Sequence, residues 1–153
     1  MIVTRHAAVA VLLLAALAAA GFARADPCQL EINGNDQMQY DKQLLSVPAS
    51  CTQVTVTLHH LGKLPREAMG HNWVLVNAAD FNAVVSSGMG AGLANDYVAP
   101  ADKRVLAHTK IIGGGQTTSV TFPTSLLKPG ADYRYLCTFP GHNALMRGTL
   151  KFG

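Results

Sequence analysis

The segment from Gln53 to His60 alternates between apolar and polar side chains, and this two-residue period most constrains the fold. Val54, Val56 and Leu58 share one face, and threonines occupy the other. Such alternation is typical of a half-buried β-strand. Seven more short segments, separated by Gly, Pro and Asn, have strand character: 29–32, 44–47, 72–76, 104–108, 119–122, 133–137 and 148–152. The pattern predicts an all-β fold, either an antiparallel sandwich or a Greek-key barrel.

One segment departs from this period. Between residues 80 and 89 the apolar residues Phe81, Val84 and Val85 recur at helical spacing. Asp80 is a residue type that caps helix N-termini. The spacing therefore predicts one short helical insertion around residues 80–90, with Asp80 as its cap.

The first 25 residues have the layout of a secretory signal peptide. A basic start precedes the apolar run from Ala7 to Ala20, and small residues follow at Ala23 and Ala25. The alternative is a membrane anchor, but the run is shorter than the ~20 residues that span a bilayer. We expect cleavage after Ala25, a single domain over residues 26–153, a periplasmic location and no membrane insertion after processing.

The charge balance excludes one class of function. The chain has 12 Lys and Arg against 9 Asp and Glu, and two of the cations, Arg5 and Arg24, lie in the segment expected to be removed. The remaining chain is therefore close to neutral, and no run of five like charges occurs in it. Nucleic-acid binding requires clustered Lys and Arg, so we expect no nucleic-acid partner.

Three cysteines are present, and export implies a compartment in which disulfides persist. Cys28 and Cys51 are close in sequence, whereas Cys137 lies far downstream. The economical assignment is a Cys28–Cys51 disulfide and an unpaired Cys137. An unpaired cysteine in an oxidising compartment is either buried and inert or occupied by something.

The residues after Cys137 favour the second alternative. A Pro-Gly turn is followed by His142 and Met146, so that a thiolate, an imidazole and a thioether lie within ten residues. Soft sulfur ligands together with imidazole select copper, especially where a weak Met ligand completes a site of two His and one Cys. His71, which directly precedes a predicted strand, is the candidate for the second imidazole.

These motifs resemble those of the cupredoxins, a family of small blue copper proteins. The resemblance covers residues 27–153 and implies a Greek-key β-sandwich with one copper ion that cycles between Cu(I) and Cu(II). It is carried, in order, by the Cys28/Cys51 pair, Gly34-Asn35-Asp36-Gln37-Met38-Gln39, Met69-Gly70-His71-Asn72-Trp73-Val74-Leu75, Ala107-His108-Thr109-Lys110 and Cys137-Thr138-Phe139-Pro140-Gly141-His142.

The resemblance also implies a ligand set. His71, Cys137 and His142 would be the three equatorial ligands. Met146 would be the long axial ligand, and the carbonyl group of Gly70 would approach weakly from the opposite side. All five positions are present in this chain.

Residues around the ligands receive roles from the same resemblance. Asn72 would bridge the two ligand loops, and Phe139 would pack beside the site. His60 is either a satisfied core histidine or a buried histidine whose protonation affects the redox potential. His108 is expected to be an ordinary surface residue, and the hydroxyl group of Tyr135, where phenylalanine is more usual, needs a partner or a path to water.

An apolar patch around the outer edge of His142 is the implied docking surface for redox partners. The function expected is that of an exported blue copper protein that shuttles single electrons, and not that of an enzyme. Its partners would be transient redox proteins such as cytochromes or reductases. The members of this apolar patch would be Met38, Leu64, Met69, Met89, Phe139, Pro140 and Leu145.

Three rival classes of function fit the sequence less well. A copper enzyme needs an open coordination position or a second metal centre, and no second His/Cys cluster is evident in the sequence. A copper carrier usually exposes several Met or Cys for exchange. A metal-free adhesion domain would leave Cys137 unexplained. Electron transfer is therefore the favoured interpretation.

Overall fold

Two β-sheets share one apolar core in residues 26–153, the part of the chain that this computed structural model describes. The predicted signal peptide lies outside the described residues. The strands are β1 (Gln29–Gly34), β2 (Leu44–Val47), β3 (Gln53–His60), β4 (Val74–Asn77), β5 (Val105–His108), β6 (Thr117–Pro123), β7 (Tyr133–Leu136) and β8 (Arg147–Phe152). One sheet has the order β1-β3-β6, and the other has the order β2-β8-β7-β4-β5.

The predicted all-β sandwich is confirmed, but its strands are not all antiparallel. β1 pairs with β3 in parallel, and β2 pairs with β8 in parallel; the other pairings are antiparallel. Between β1 and β3 the chain crosses to the second sheet, where it forms β2. When it comes back to the first sheet, β3 therefore runs parallel to β1. The antiparallel pairing predicted for the sandwich is therefore wrong for two strand pairs.

The alternation in β3 produces the burial that it predicts. Val54, Val56 and Leu58 are fully buried and belong to the same core cluster as Trp73. The indole ring of Trp73 stacks on the ring of Tyr135 at a centroid distance of 5.8 Å. Each such aliphatic side chain stabilises the fold by roughly 1.5–3 kcal/mol when fully buried. This packed core fixes the positions of the strands and so of the loops at their ends.

The disulfide between Cys28 and Cys51 is present, which confirms the predicted pairing. It joins the residue before β1 to the turn before β3, next to the parallel pairing of those two strands. Cys137 is free and buried. The hydroxyl group of Tyr135 donates to the carbonyl oxygen of Lys42 at 2.8 Å, which supplies the partner that this buried hydroxyl requires.

The helical insertion is confirmed as α2 (Phe81–Ala91), and a shorter helix, α1 (Arg66–Met69), precedes β4. Asp80 does not cap α2: its side chain makes no capping hydrogen bond, because Asp80 closes a preceding 3₁₀ turn and has φ −92° and ψ −5°, not the extended backbone of a cap. Within the described residues no helix is long and apolar enough to cross a membrane. The 3₁₀ turns are Ala78–Asp80, Leu93–Asn95, Thr124–Leu126 and His142–Ala144.

Candidate metal centre

Three buried side chains meet at one end of the sandwich. His71 lies just before β4, Cys137 directly follows β7, and His142 begins the last 3₁₀ turn. One candidate ligand atom from each lies within 4.8 Å of those of the other two. The Sγ atom of Cys137 is 3.6 Å from Nδ1 of His142. The structure thus brings together the thiol and the two imidazoles that the sequence singled out.

The thiol of Cys137 is fully buried, and its environment disfavours a free thiolate. Burial raises its pKa to about 12, and the backbone amides of Asn72 and Phe139 act in the opposite direction. A thiolate at this position therefore needs a cation beside it. The two amide groups that favour the charged sulfur are already in place, which suits a metal thiolate.

His71 has one ring nitrogen committed to the protein. Its Nε2 lies 2.8 Å from the carbonyl oxygen of Asn35. Burial is the main cause that lowers the pKa of the ring, so the neutral form is favoured. We assign its single proton to Nε2, which donates to Asn35 and leaves the lone pair of Nδ1 facing the cluster.

His142 is also held in its neutral form. Burial, followed by the nearby rings of His71 and His60, lowers its pKa to about 4. Only 2% of its surface is exposed, so the outer edge of the ring is more covered than a docking surface at His142 predicts. The ring of Phe139 packs against it at a centroid distance of 4.5 Å. Neutral imidazole is the form that binds a metal ion.

Met146 is fully buried, and backbone hydrogen bonds fix its position relative to the other two members of its loop. Its amide donates to the carbonyl of His142 at 2.8 Å, and its carbonyl accepts from the amide of Cys137 at 2.9 Å. These bonds close residues 137–146 into one unit. The loop therefore presents its three donor side chains as a set.

Gly34 is a site residue whose role the sequence analysis missed. A Cβ atom at this position would lie 2.7 Å from Cδ2 of His71 and 2.7 Å from Cε of Met146. Both side chains therefore pack directly on the backbone of Gly34. The sequence Asn33-Gly34-Asn35 is typical of a turn, and nothing in it distinguishes a glycine required by a turn from one required by close packing.

Gly70 has its carbonyl oxygen turned toward the cluster. That oxygen is 3.8 Å from Sγ of Cys137 and 3.0 Å from Nδ1 of His71. A Cβ atom at position 70 would lie 2.5 Å from the carbonyl oxygen of Arg66, so the tight approach of α1 requires glycine here. The oxygen is thus held close to the soft donors of the site.

Asn72 joins the two loops that carry the donors. Its Oδ1 accepts from the amide of Thr138 at 2.9 Å, and its Nδ2 donates to the hydroxyl of Thr138 at 2.8 Å. Nδ2 also donates to the carbonyl of Asp96 at 2.7 Å. The side chain therefore ties the residue after His71 to the residue after Cys137.

His60 stacks on His71, with ring centroids 4.1 Å apart, and is buried. Its Nδ1 accepts from the amide of Gly62 at 3.0 Å, and its Nε2 faces the carbonyl oxygen of Met69 at 2.8 Å. A neutral ring with its proton on Nε2 satisfies both contacts. These are the contacts of a satisfied core histidine, and the linkage of its protonation to the redox potential stays a prediction.

The predicted apolar patch contains both exposed and covered residues. Leu64, Met89, Pro140 and Leu145 are exposed, whereas Met38 and Met69 are half-buried and Phe139 is buried. Pro140 and Leu145 flank His142 in the same loop. His108 is exposed, as expected of a surface residue.

The donor set fits copper. Two neutral imidazoles and a buried cysteine lie close together, the thioether of Met146 is held in the same loop, and the surrounding protein is apolar. Sulfur and imidazole donors of this kind select copper over the oxygen-binding metals. A cluster of two histidines, one cysteine and a nearby methionine, at one end of a β-sandwich, defines the cupredoxin class of copper sites.

Comparison with known proteins agrees with this class. A family model described as copper-binding proteins of the plastocyanin/azurin family matches residues 26–153. The chain is 56% identical to azurin from Bordetella pertussis over 124 residues, which are 81% of this chain and 83% of that protein. It is also 56% identical to azurin from Pseudomonas aeruginosa over 123 residues, 80% of this chain and 83% of that one.

A solved structure is similar as well. The azurin Az-iso2 from the obligate methylotroph Methylomonas sp. strain J superposes with a TM-score of 0.80 at 48% sequence identity, covering 82% of this chain and 98% of that chain. The chain belongs to the plastocyanin/azurin family of copper-binding proteins. Members of this family are electron carriers and not enzymes, and the His–Cys–His cluster makes this chain a blue copper electron carrier.

Proposed function

We propose that this chain is a periplasmic electron carrier, exported by residues 1–25 and cleaved after Ala25. In this proposal, residues 26–153 form a single domain. The apolar run and the small residues before Asp26 support export. The disulfide between Cys28 and Cys51 supports an oxidising compartment, because disulfides are rare where thiols are kept reduced.

The proposed ligands are Nδ1 of His71, Sγ of Cys137 and Nδ1 of His142. Met146 and the carbonyl oxygen of Gly70 are proposed as weaker ligands. When bound, copper supplies a one-electron Cu(I)/Cu(II) couple. The observation that carries the assignment is that one ligand atom from each of three buried residues lies within 4.8 Å of the others.

The protein's contribution is to hold the donors still. Asn72 ties the two loops together, and the backbone bonds of residues 137–146 fix the remaining donors relative to one another. The Nε2 proton of His71 stays on the carbonyl of Asn35, which fixes the ring orientation. Ligands that move little between the two oxidation states keep the reorganisation energy of electron transfer small. The burial of the site excludes water from the donors.

Electrons are proposed to pass at His142, where a transient redox protein docks. The ring has 2% of its surface exposed, and the exposed residues Pro140 and Leu145 stand on either side of it in the same loop. Their apolar side chains support brief contact with a partner without a large interface. Met38, Leu64, Met69 and Met89 are proposed to extend this surface.

Visible absorption of the copper-loaded, oxidised protein tests the assignment. A thiolate bound to Cu(II) is expected to give an intense charge-transfer band and a blue solution. Cys137→Ser is expected to abolish the band while far-ultraviolet circular dichroism retains the β-sheet spectrum, because serine differs from cysteine by a single side-chain atom and fits the same buried position. Ser86→Ala, an exposed change on α2, is the control and is expected to keep the colour. A Cys137→Ser protein that stays equally blue would refute the ligand set.

A further inference from the structure

A groove lined by three cations continues the apolar patch. Lys63 and Arg66 come from the segment that leads into α1, and Lys110 comes from the segment after β5 that faces it. All three are exposed. Leu64, a member of the apolar patch, lines the same groove. We call this surface, defined by Lys63, Leu64, Arg66 and Lys110, the basic groove.

Two glycines set the shape of the basic groove. A Cβ atom at Gly113 would lie 2.7 Å from the backbone nitrogen of Arg66, and one at Gly114 would lie 2.6 Å from the carbonyl carbon of Lys63. The amide of Gly114 also donates to the carbonyl of Leu64 at 2.8 Å. The backbone that carries the cations is therefore pressed against a neighbouring segment and held in place.

Cations outnumber acidic side chains in the lining of the basic groove. Of the described residues that line the groove, only Glu67 is acidic, and it pairs with Arg66 at 3.4 Å between exposed side chains, an interaction of little energy. Asp36 directs its carboxylate to the backbone amide of Lys63 at 2.8 Å. In the described part of the chain, neither Lys63 nor Lys110 takes part in an ion pair.

The groove is connected to the donor residues through its floor. Ile112 lines the groove and exchanges two backbone hydrogen bonds of 2.9 Å with His71. Ile111, also in the lining, lies against Gly70: a Cβ atom there would be 3.0 Å from Cγ1 of Ile111. A partner held in the basic groove is therefore held beside the loop that carries His71.

We propose that the basic groove receives the acidic rim of a redox protein, whose Asp and Glu carboxylates surround its own electron-transfer group. The proposal rests on the function proposed above and adds the charge of the partner. A local positive surface beside an apolar contact speeds encounter and fixes orientation, even where the whole protein is close to neutral. The cations come from two segments and are all exposed, which suits a broad protein surface better than a small anion.

The test compares two forms of one redox partner. A lysine-rich cytochrome c and the same cytochrome with its lysines succinylated carry the same haem and opposite surface charge. Electron transfer from the copper-loaded, reduced protein is followed by stopped-flow absorption at an ionic strength of about 0.01 M, where the Debye length is about 30 Å. We expect the succinylated form to react about tenfold faster than the unmodified form. The advantage should vanish at about 1 M salt, where the Debye length is about 3 Å.

Charge-matched variants locate the effect. Lys63→Gln and Lys110→Gln should each reduce the preference for the succinylated cytochrome about twofold to threefold at low salt. Lys151→Gln removes the same charge near the far end of β8 and should leave the preference unchanged. The blue band should persist in all three variants, because none of these residues contacts a donor.

Three results would overturn the inference. The first is equal rates for the two cytochrome forms with the unmodified protein. The second is a loss of preference in Lys151→Gln as large as that in Lys63→Gln. The third is an effect seen with ferricyanide alone, which would identify a small-anion site. Electron transfer to neither form would instead contradict the proposed function, so the two failures are distinguishable.

Discussion

The side-chain amide of Asn72 and the residue Thr138 share two hydrogen bonds, of 2.9 Å to the Thr138 amide and 2.8 Å to its hydroxyl. Asn72 follows His71, and Thr138 follows Cys137. One amide group therefore sets the separation of two donor residues that lie far apart in the sequence. Since both residues are buried, water cannot replace either bond.

Asn72→Leu keeps the number and branching of the side-chain heavy atoms and removes the hydrogen bonds. The amide of Thr138 is left buried without a partner, so the free energy of unfolding is expected to fall by about 3 kcal/mol. Urea unfolding of the metal-free protein measures the change. Asn82→Leu, at an exposed position of α2, is the control and should change the free energy by less than about 0.5 kcal/mol. Equal effects would show that Asn72 does not tie the loops.

Gly34→Ala is expected to disturb the metal centre. The added methyl group would lie 2.7 Å from both the ring of His71 and the thioether methyl of Met146, so one of them must move. The position or intensity of the visible band should change, and stability should fall by about 1–3 kcal/mol. Gly90→Ala makes the same change inside α2, where the methyl meets nothing within 4 Å, and should be neutral or stabilising. A normal spectrum in Gly34→Ala would contradict the close packing.

The metal-free protein should lose stability as the pH falls from about 6.5 to about 4. Burial lowers the pKa of His142 from 6.5 to about 4, so in this window the unfolded chain binds a proton that the folded protein does not. The free energy of unfolding therefore decreases as the pH falls, by about 3 kcal/mol from this residue. Urea unfolding at a series of pH values measures the slope. His142→Gln should flatten it, and an unchanged slope would assign the effect elsewhere.

Met69→Lys should slow electron self-exchange. The added charge repels its copy in the encounter of two molecules and must lose water in the contact, so a decrease of about tenfold or more is expected at low salt. The visible band should change little, since Met69 is not a proposed ligand. Nuclear magnetic resonance linewidths in mixtures of oxidised and reduced protein give the rate. Thr57→Lys, on the outer face of β3, is the charge-matched control; equal slowing by both variants would reject the patch.

The parts of the fold that depend on local pattern could be predicted. The alternation of β3 follows from a period of two residues, and the disulfide follows from the sequence proximity of Cys28 and Cys51. Three of the proposed donors, Cys137, His142 and Met146, lie within ten residues, so their grouping can be predicted without any long-range contact. The choice of a Greek-key sandwich over the other all-β arrangements, and the inclusion of Gly70, rest on resemblance and not on spacing.

Features that depend on distant pairing could not be predicted from pattern. The parallel pairing of β1 with β3 arises because the chain visits the second sheet between them. Asp80 failed as a cap because a 3₁₀ turn precedes the helix, and short turns leave no period to detect. The packing of Met146 on Gly34, and the placement of Lys110 and Lys63 in one groove, bring together residues that are remote in sequence and that no local window contains.

The parallel pairing of β1 with β3 has a consequence for the order of folding. Gln29 pairs with Thr55, and Thr55 in turn pairs with Thr121, so β1 has no neighbour until the later strands β3 and β6 have been synthesised. Topologies dominated by such distant pairings fold slowly. Formation of the Cys28–Cys51 disulfide would speed the pairing of β1 with β3, because it holds the starts of the two strands together and reduces the number of conformations of the intervening loop. The disulfide would therefore speed folding as well as stabilise the folded domain.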